Sequence, residues 1–218
     1  MKSLLPLMFD MSGKEVVIFG GGDVGERKAS LFCEYAKVTV ISREFTHGLK
    51  KLSENGKIKL IEVDNLTDPD ITRYMKNAYI AIPATNDAIL NEKIAAAASE
   101  NGKLVNRVDD LGDIVVPSVI KRGDIVIGIS TLGQSPALSK YIRLRIEGII
   151  TPEFSKMSQL QSEFREMLKS RVHDQKKRKE LLWNIINDNE VWDSLKESYE
   201  KGYKVALNHI DKIGERND

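Results

Sequence analysis

Three glycines carry the first chemical signal in this chain. The run Gly20-Gly21-Gly22-Asp23-Val24-Gly25 places Gly20, Gly22 and Gly25 in a G-x-G-x-x-G spacing. It follows a short apolar run and opens a stretch of helix formers, which is the context a dinucleotide loop needs. Gly20 allows a tight turn, Gly22 lets backbone approach a pyrophosphate, and Gly25 lets a helix pack on a strand. The helix start at Asp23 and Val24 then offers N–H groups and partial positive charge to phosphates. The expected cofactor is NAD, with NADP left open. The acid that usually meets the ribose is displaced, because Arg43 stands before Glu44 where the second strand ends. Arg43 could contact a 2′-phosphate or cover the adenine.

A second group of polar residues follows two later apolar runs. Ala84-Thr85-Asn86-Asp87 and Asn106-Arg107-Val108-Asp109-Asp110 fall where two strands should end. In open α/β sheets ligands bind at that carboxyl edge. Asn86 can donate and accept toward a ribose or nicotinamide. A carboxylate after Leu104-Val105, partly shielded from water, has its pKa raised toward that of a usable general base. Asp109 is a candidate for that role, whereas Asp110 reads as a turn former.

The elements that position these groups alternate. Apolar runs over 15–19, 37–42, 57–63, 79–85 and 103–108 are strand-length. Helical stretches over 23–35, 68–76 and 89–101 lie between them. Short apolar strands with intervening helices imply a parallel sheet covered on both faces. Runs over 114–120 and 124–130 flank Lys121-Arg122-Gly123 and read as an antiparallel pair. Pro117 argues for an edge or a bulge in the first of them. Ser135-Pro136 reads as an N-cap with proline at the first helical position, opening a helix over 137–150. From 151 onward the pattern is helical, with Phe154, Met157, Leu160, Phe164 and Leu168 at three- and four-residue steps. The expected fold class is therefore α/β. It comprises a Rossmann-type domain over 1–113, a small β-plus-helix segment over 114–150 and an all-helical C-terminal domain over 151–218.

The ordered motifs closely resemble the precorrin-2 dehydrogenase/sirohydrochlorin ferrochelatase family, also found as the N-terminal part of bifunctional sirohaem synthases. The resemblance spans about residues 5–147 and rests on several runs. They are Leu5-Pro6-Leu7-Met8-Phe9, Gly20-Gly21-Gly22-Asp23-Val24 with Glu26-Arg27-Lys28, and Ala84-Thr85-Asn86-Asp87 with Asn91. Asn106-Arg107-Val108-Asp109, Pro117-Ser118 with Arg122, and Ile129-Ser130-Thr131 with Gly133-Gln134-Ser135-Pro136 complete the set. It implies NAD⁺-dependent oxidation of precorrin-2 to sirohydrochlorin, with Asp109 taking part in proton transfer. Whether Fe²⁺ is then inserted as a chelatase substrate stays open. The resemblance also implies a homodimer built on the segment over 114–150. Gly20, Gly22, Asp23, Val24, Gly25, Arg43, Glu44, Thr85 and Asn86 would hold the cofactor. A substrate rich in carboxylates calls for cations and donors, which Asn106, Arg107, Arg122, Ser130, Thr131, Gln134 and Ser135 would supply. Three departures stand out. Gly25 occupies a position where many relatives have alanine, Leu132 replaces a glycine common in the Ser-x-Gly-Gly-x-Ser-Pro run, and Thr131 stands where serine is common and retains the hydroxyl.

Composition limits the alternatives. The 33 Lys+Arg nearly balance 32 Asp+Glu, and residues 151–218 carry 13 of each, so a general nucleic-acid binder is not expected. No apolar run approaches a membrane span of about 18–20 residues, and the first residues, with a short apolar run that meets Asp10, are not expected to act as a secretory signal. A cytoplasmic protein is expected. A single cysteine, Cys33, excludes an internal disulfide, and the three histidines are too scattered for a metal site. The basic run over 176–179 reads as a solvated helix face, while Trp183 and Trp192 read as packing residues. The competing interpretation is a non-catalytic nucleotide-sensing Rossmann module.

Overall fold

The apolar runs become five parallel strands because each is flanked by glycine or polar residues and is rich in β-branched side chains. In the computed structural model, which describes residues 4–108, 110 and 112–214 (the last three through backbone alone), these are β1 (Glu15–Phe19), β2 (Lys37–Ser42), β3 (Lys59–Glu62), β4 (Ile80–Pro83) and β5 (Leu104–Val105). They form one sheet in the order β3-β2-β1-β4-β5, with every neighbour pair parallel. Successive side chains point to opposite faces, so β1 feeds two cores. Val16 and Ile18 pack with Ala29, Phe32 and Leu49 on one face. Val17 and Phe19 pack with Ile71, Met75 and Ile94 on the other.

The covering helices are α1 (Asp23–Phe32), α2 (His47–Glu54), α3 (Asp68–Met75) and α4 (Ala88–Glu100). Helix α2 was not expected from the sequence. Its signal is local: the Thr46 hydroxyl caps it by accepting from the N–H of Leu49, and Leu49 anchors it in the core. The strand expected over 103–108 is reduced to two residues, and the chain after Val105 turns away to carry polar groups.

The chain divides into two compact units, the first ending at Val116 and the second beginning at Pro117. The run expected as one strand over 114–120 is split there. Ile114 and Val116 pack against the sheet core, whereas β6 (Ser118–Arg122) pairs antiparallel with β7 (Ile125–Ile129). Pro117 has no N–H for a ladder, which accounts for the strand starting after it. The second unit continues with α5 (Pro136–Ile149), α6 (Glu153–Arg171), α7 (Gln175–Ile186), α8 (Asn189–Glu197) and α9 (Tyr199–Gly214). Met157, Leu160, Phe164 and Leu168 line its core with Leu181, Ile185, Val191 and Leu195. Trp192 packs on Phe154 at a ring separation of 4.7 Å. Trp183, expected to pack in the same way, is instead 53% exposed.

Candidate active site

The strand order reverses between β1 and β4, and in sheets of this kind the crevice for a ligand opens at that reversal. The glycine turn sits there. Gly20 adopts φ +123°, a conformation that disfavours any residue with a Cβ. A Cβ on it would collide with the carbonyl oxygen of Ala84 at the end of β4. A Cβ on Gly25 would strike the carbonyl oxygen of Gly20, so in this chain glycine at 25 is sterically required. Gly21, an unspecified position in the motif, is equally constrained by the carbonyl oxygen of Glu44.

Gly22 differs from these three. A Cβ there would meet nothing within 4 Å, so its lack of a side chain leaves open space beside the start of α1. Gly22 is the N-cap of that helix, and no side chain caps it. The first-turn N–H groups at Asp23, Val24 and Gly25 are thus left to whatever enters the space, and an anionic pyrophosphate is the complementary group. The residues present fit a dinucleotide. Arg43 and Glu44 are exposed in the turn after β2, where the backbone of Glu44 borders the glycine turn.

At the end of β4 the polar groups are fastened to one another. The Thr85 hydroxyl donates to Asn91 Oδ1 at 2.8 Å. The Thr85 N–H donates to the same oxygen, and Asn91 Nδ2 donates to the Thr85 carbonyl. Asp87 caps α4 by accepting from the N–H groups of Ile89 and Leu90. This frame leaves Asn86 exposed at the carboxyl edge.

The residues after β5 are held just as firmly. Asn106 is 2% exposed, and its amide is engaged inside the protein. Lys28 Nζ donates to Asn106 Oδ1 at 2.7 Å, and Asn106 Nδ2 donates to the Ile114 carbonyl. Arg107 makes a bidentate pair with Glu92 at 2.5 and 2.6 Å. The Val105 N–H donates to the Asp113 carboxylate. Asp109 lies outside the described residues, but the chain on either side of it is pinned by these contacts. Lys28 has its pKa lowered, chiefly by burial and further by Arg27. A cavity of about 190 Å³ beside Glu92, Ala96 and Arg107 is smaller than the several hundred Å³ of a typical cofactor or ligand site.

In the second unit Ser130, Thr131, Gln134 and Ser135 share one turn between β7 and α5. Ser135 caps α5 by accepting from the Leu138 N–H. The Thr131 hydroxyl accepts from the Ser135 N–H and lies 3.0 Å from Ser139 Oγ. Ser130 Oγ accepts from the Leu132 N–H. Three of the four hydroxyl and amide groups therefore shape the turn, and Gln134 is exposed. Leu132 has φ +51°, a left-handed conformation that glycine would take without strain. Arg122 donates through one terminal nitrogen to the Lys121 carbonyl, while its Nε is buried without a partner among the described residues.

Residues 7–118 match the NAD_binding_7 family of NAD(P)-binding domains. The chain is 52% identical over 206 residues to a protein named precorrin-2 dehydrogenase from Methanosarcina barkeri, covering 94% of this chain and 92% of that one. It belongs to the precorrin-2 dehydrogenase family. Siroheme synthases from Psychrobacter arcticus and Vesicomyosocius okutanii are 37% and 33% identical. They are longer proteins, of which this chain spans 30% and 38% while 77% and 84% of it is matched. The solved structure of SirC, a precorrin-2 dehydrogenase, superposes with a TM-score of 0.71 at 24% identity. It covers 96% of this chain and 100% of that one, and so shares the fold.

Three residues of the site entered the sequence reading only as members of the runs that carry the resemblance, with no role assigned to them. Gly21 is hidden because the motif treats it as variable. Asn91 sits six residues beyond Thr85 and looks like an ordinary helix residue. Lys28 meets its partner 78 positions away, a contact no local pattern announces.

Proposed function

We propose that this protein oxidises precorrin-2 to sirohydrochlorin with NAD⁺, in the cytoplasm and on the route to sirohaem. One observation carries the proposal: an uncapped glycine turn at the strand reversal, in a chain 52% identical over nearly its whole length to a precorrin-2 dehydrogenase. Bound NAD⁺ would accept hydride from the macrocycle. The accompanying proton needs a base, and Asp109 is assigned that role. Gly20, Gly22, Asp23, Val24 and Gly25 hold the pyrophosphate, Arg43 and Glu44 border the adenosine, and Thr85 and Asn86 face the nicotinamide half.

Asn106 and Arg107 were expected to contact substrate. Their engaged side chains support a different role, holding the segment that carries Asp109 in place. Lys28 acts through Asn106 and is a positioning residue. Arg122, Ser130, Thr131, Gln134 and Ser135 form the substrate-facing set of the second unit, the hydroxyls acting mainly through the shape of the turn. Helix α5 has no buried residue, yet Leu138, Tyr141, Leu144 and Ile149 on it are exposed apolar groups. Such a patch supports a homodimer formed through this segment. Among the described residues no helix is long and apolar enough to cross a membrane.

The test is anaerobic incubation with precorrin-2 and NAD⁺. Sirohydrochlorin absorbance and NADH should appear together, faster with NAD⁺ than with NADP⁺. Cofactor binding without turnover would instead support the nucleotide-sensing alternative. Fe²⁺ enters only as a second substrate, and its insertion above the rate without enzyme would establish a chelatase.

A further inference from the structure

The helical unit contains a groove between α6 and α7 that encloses about 610 Å³, within the size range of small-molecule sites. Its walls carry Arg165, Lys169, Lys176, Arg178 and Lys179, and Trp183 forms part of its floor. No carboxylate lines it among the described residues. Lys169 pairs with Glu166, and Arg178 donates to the carbonyls of Val172 and His173. Arg178 is thereby fixed in place while its charge remains in the groove. No ion pair with Arg165, Lys176 or Lys179 falls within 4.0 Å among the described residues.

Five of the 13 bases of residues 151–218, a segment that also carries 13 acids, gather around one partly exposed indole. Like charges gathered on one surface repel each other, and an indole that is 53% exposed forgoes about half of the gain from burial. Both features become favourable when a flat, π-rich polyanion lies on the indole and brings carboxylates to the cations. We propose that the α6–α7 groove is a second binding site for a planar polycarboxylate macrocycle, of the class that the dehydrogenase reaction consumes and releases. The proposal rests on the function proposed above for its choice of ligand. Single-stranded RNA also combines stacking with phosphate charge. It fits less well, because the groove has the volume of one small molecule and no basic stripe extends from it: residues 151–218 are charge-balanced.

The experiment uses the full chain with NAD⁺ and uroporphyrin, a stable polycarboxylate macrocycle, as the probe. Calorimetric titration should find two macrocycles per chain, and binding should quench tryptophan emission. In Lys176→Glu/Lys179→Glu and in Trp183→Leu, one of the two sites should weaken by about tenfold or more, as expected for removing charged contacts or a stacking surface. The second variant should also lose part of the quenching. Dehydrogenase kcat in both should match the parent, which confirms that they fold. Macrocycle binding that both variants leave unweakened, at whatever stoichiometry the parent shows, would overturn the proposal. So would single-stranded RNA binding more tightly than uroporphyrin and displacing it from the groove. Failure of the dehydrogenase reading is a separate result, read as absence of NADH from precorrin-2. In that case the circular dichroism of the variants reports folding, and the titration still decides whether the groove binds the macrocycle.

Discussion

The carboxyl edge of the parallel sheet and the α6–α7 groove are both suited to anions, yet they are made from different parts of the chain. At the sheet edge the donors are peptide N–H groups at the start of α1, and side chains are excluded at Gly20, Gly21 and Gly25 by neighbouring carbonyls. In the groove the cations sit at the ends of long side chains on two helices. A backbone site is fixed when the sheet forms and presents its donors without further ordering. A side-chain site adapts to its ligand, loses rotamer freedom on binding, and is weakened by salt because its charges are exposed. The first arrangement suits one cofactor held in one pose, the second a ligand held more loosely.

The comparison breaks at once if the sheet edge is not the reacting site. Asp109→Ala should lower kcat by about 10²–10⁴-fold, the usual contribution of a general base, with NAD⁺ affinity unchanged in calorimetry. Turnover at the parent rate would remove the base assignment. The next contrast lies inside the glycine turn. Gly22→Ala should fold with unchanged thermal stability but bind NAD⁺ about tenfold or more weakly, because its methyl group enters the ligand's space. Gly21→Ala should lose about 1–3 kcal/mol in denaturant unfolding, since its Cβ meets backbone that has to move. Equal stability of the two variants would mean that the turn is not shaped by those carbonyls.

Lys28→Met sharpens the role of buried side chains within the backbone-made site. It leaves Asn106 Oδ1 without its donor, a loss of about 1–3 kcal/mol. It should reduce kcat more than it raises the KM for NAD⁺, and Lys28→Arg should restore part of the activity. A variant with parental kcat would show that Lys28 does not position the loop.

Asp188 gives the corresponding measure for the helical unit. Its carboxylate caps α8 by accepting from the Glu190 N–H and pairs with His209 at 2.6 Å. Burial raises its pKa, but the bonds from His209 and Glu190 outweigh that and hold it below the usual value. A depressed carboxylate contributes stability above its unfolded pKa of about 3.9, and the contribution is lost as pH falls through the folded value. Asp188→Asn keeps a capping oxygen but loses the charge that His209 meets, and should therefore cost about 1 kcal/mol at neutral pH, with the difference from the parent vanishing in acid. A difference that persisted there would assign the effect to packing. The smallest effect is expected at Leu132. Leu132→Gly should raise stability by about 1 kcal/mol by relieving the left-handed conformation; a loss would show that the exposed side chain makes a contact worth more than the strain.

The parts legible in the sequence are those governed by short-range rules. The glycine turn, α1 and the first four strands follow from local spacing and side-chain alternation. Helix α2 escaped although α3 is equally short: Gly48 weakens the helical pattern of α2, whereas Thr67 and Pro69 mark the start of α3. Trp183 was misplaced for another reason. It stands among Leu181, Ile185 and Ile186, and periodicity alone does not say which side of α7 meets the core. Packing on α6 selected Leu181 and Ile185 and turned the indole outward. Arg107 looked like a substrate cation, but α4 brings Glu92 against it.

The sequence by itself determined the fold class, the cofactor turn and the family, because each depends on residues close along the chain. Only the tertiary structure decided that Lys28 and Ile114 hold Asn106, that Arg107 is already paired, and that five cations share a groove with Trp183. Those arrangements join side chains from different elements, and their distances exist only after the sheet and the helices have packed.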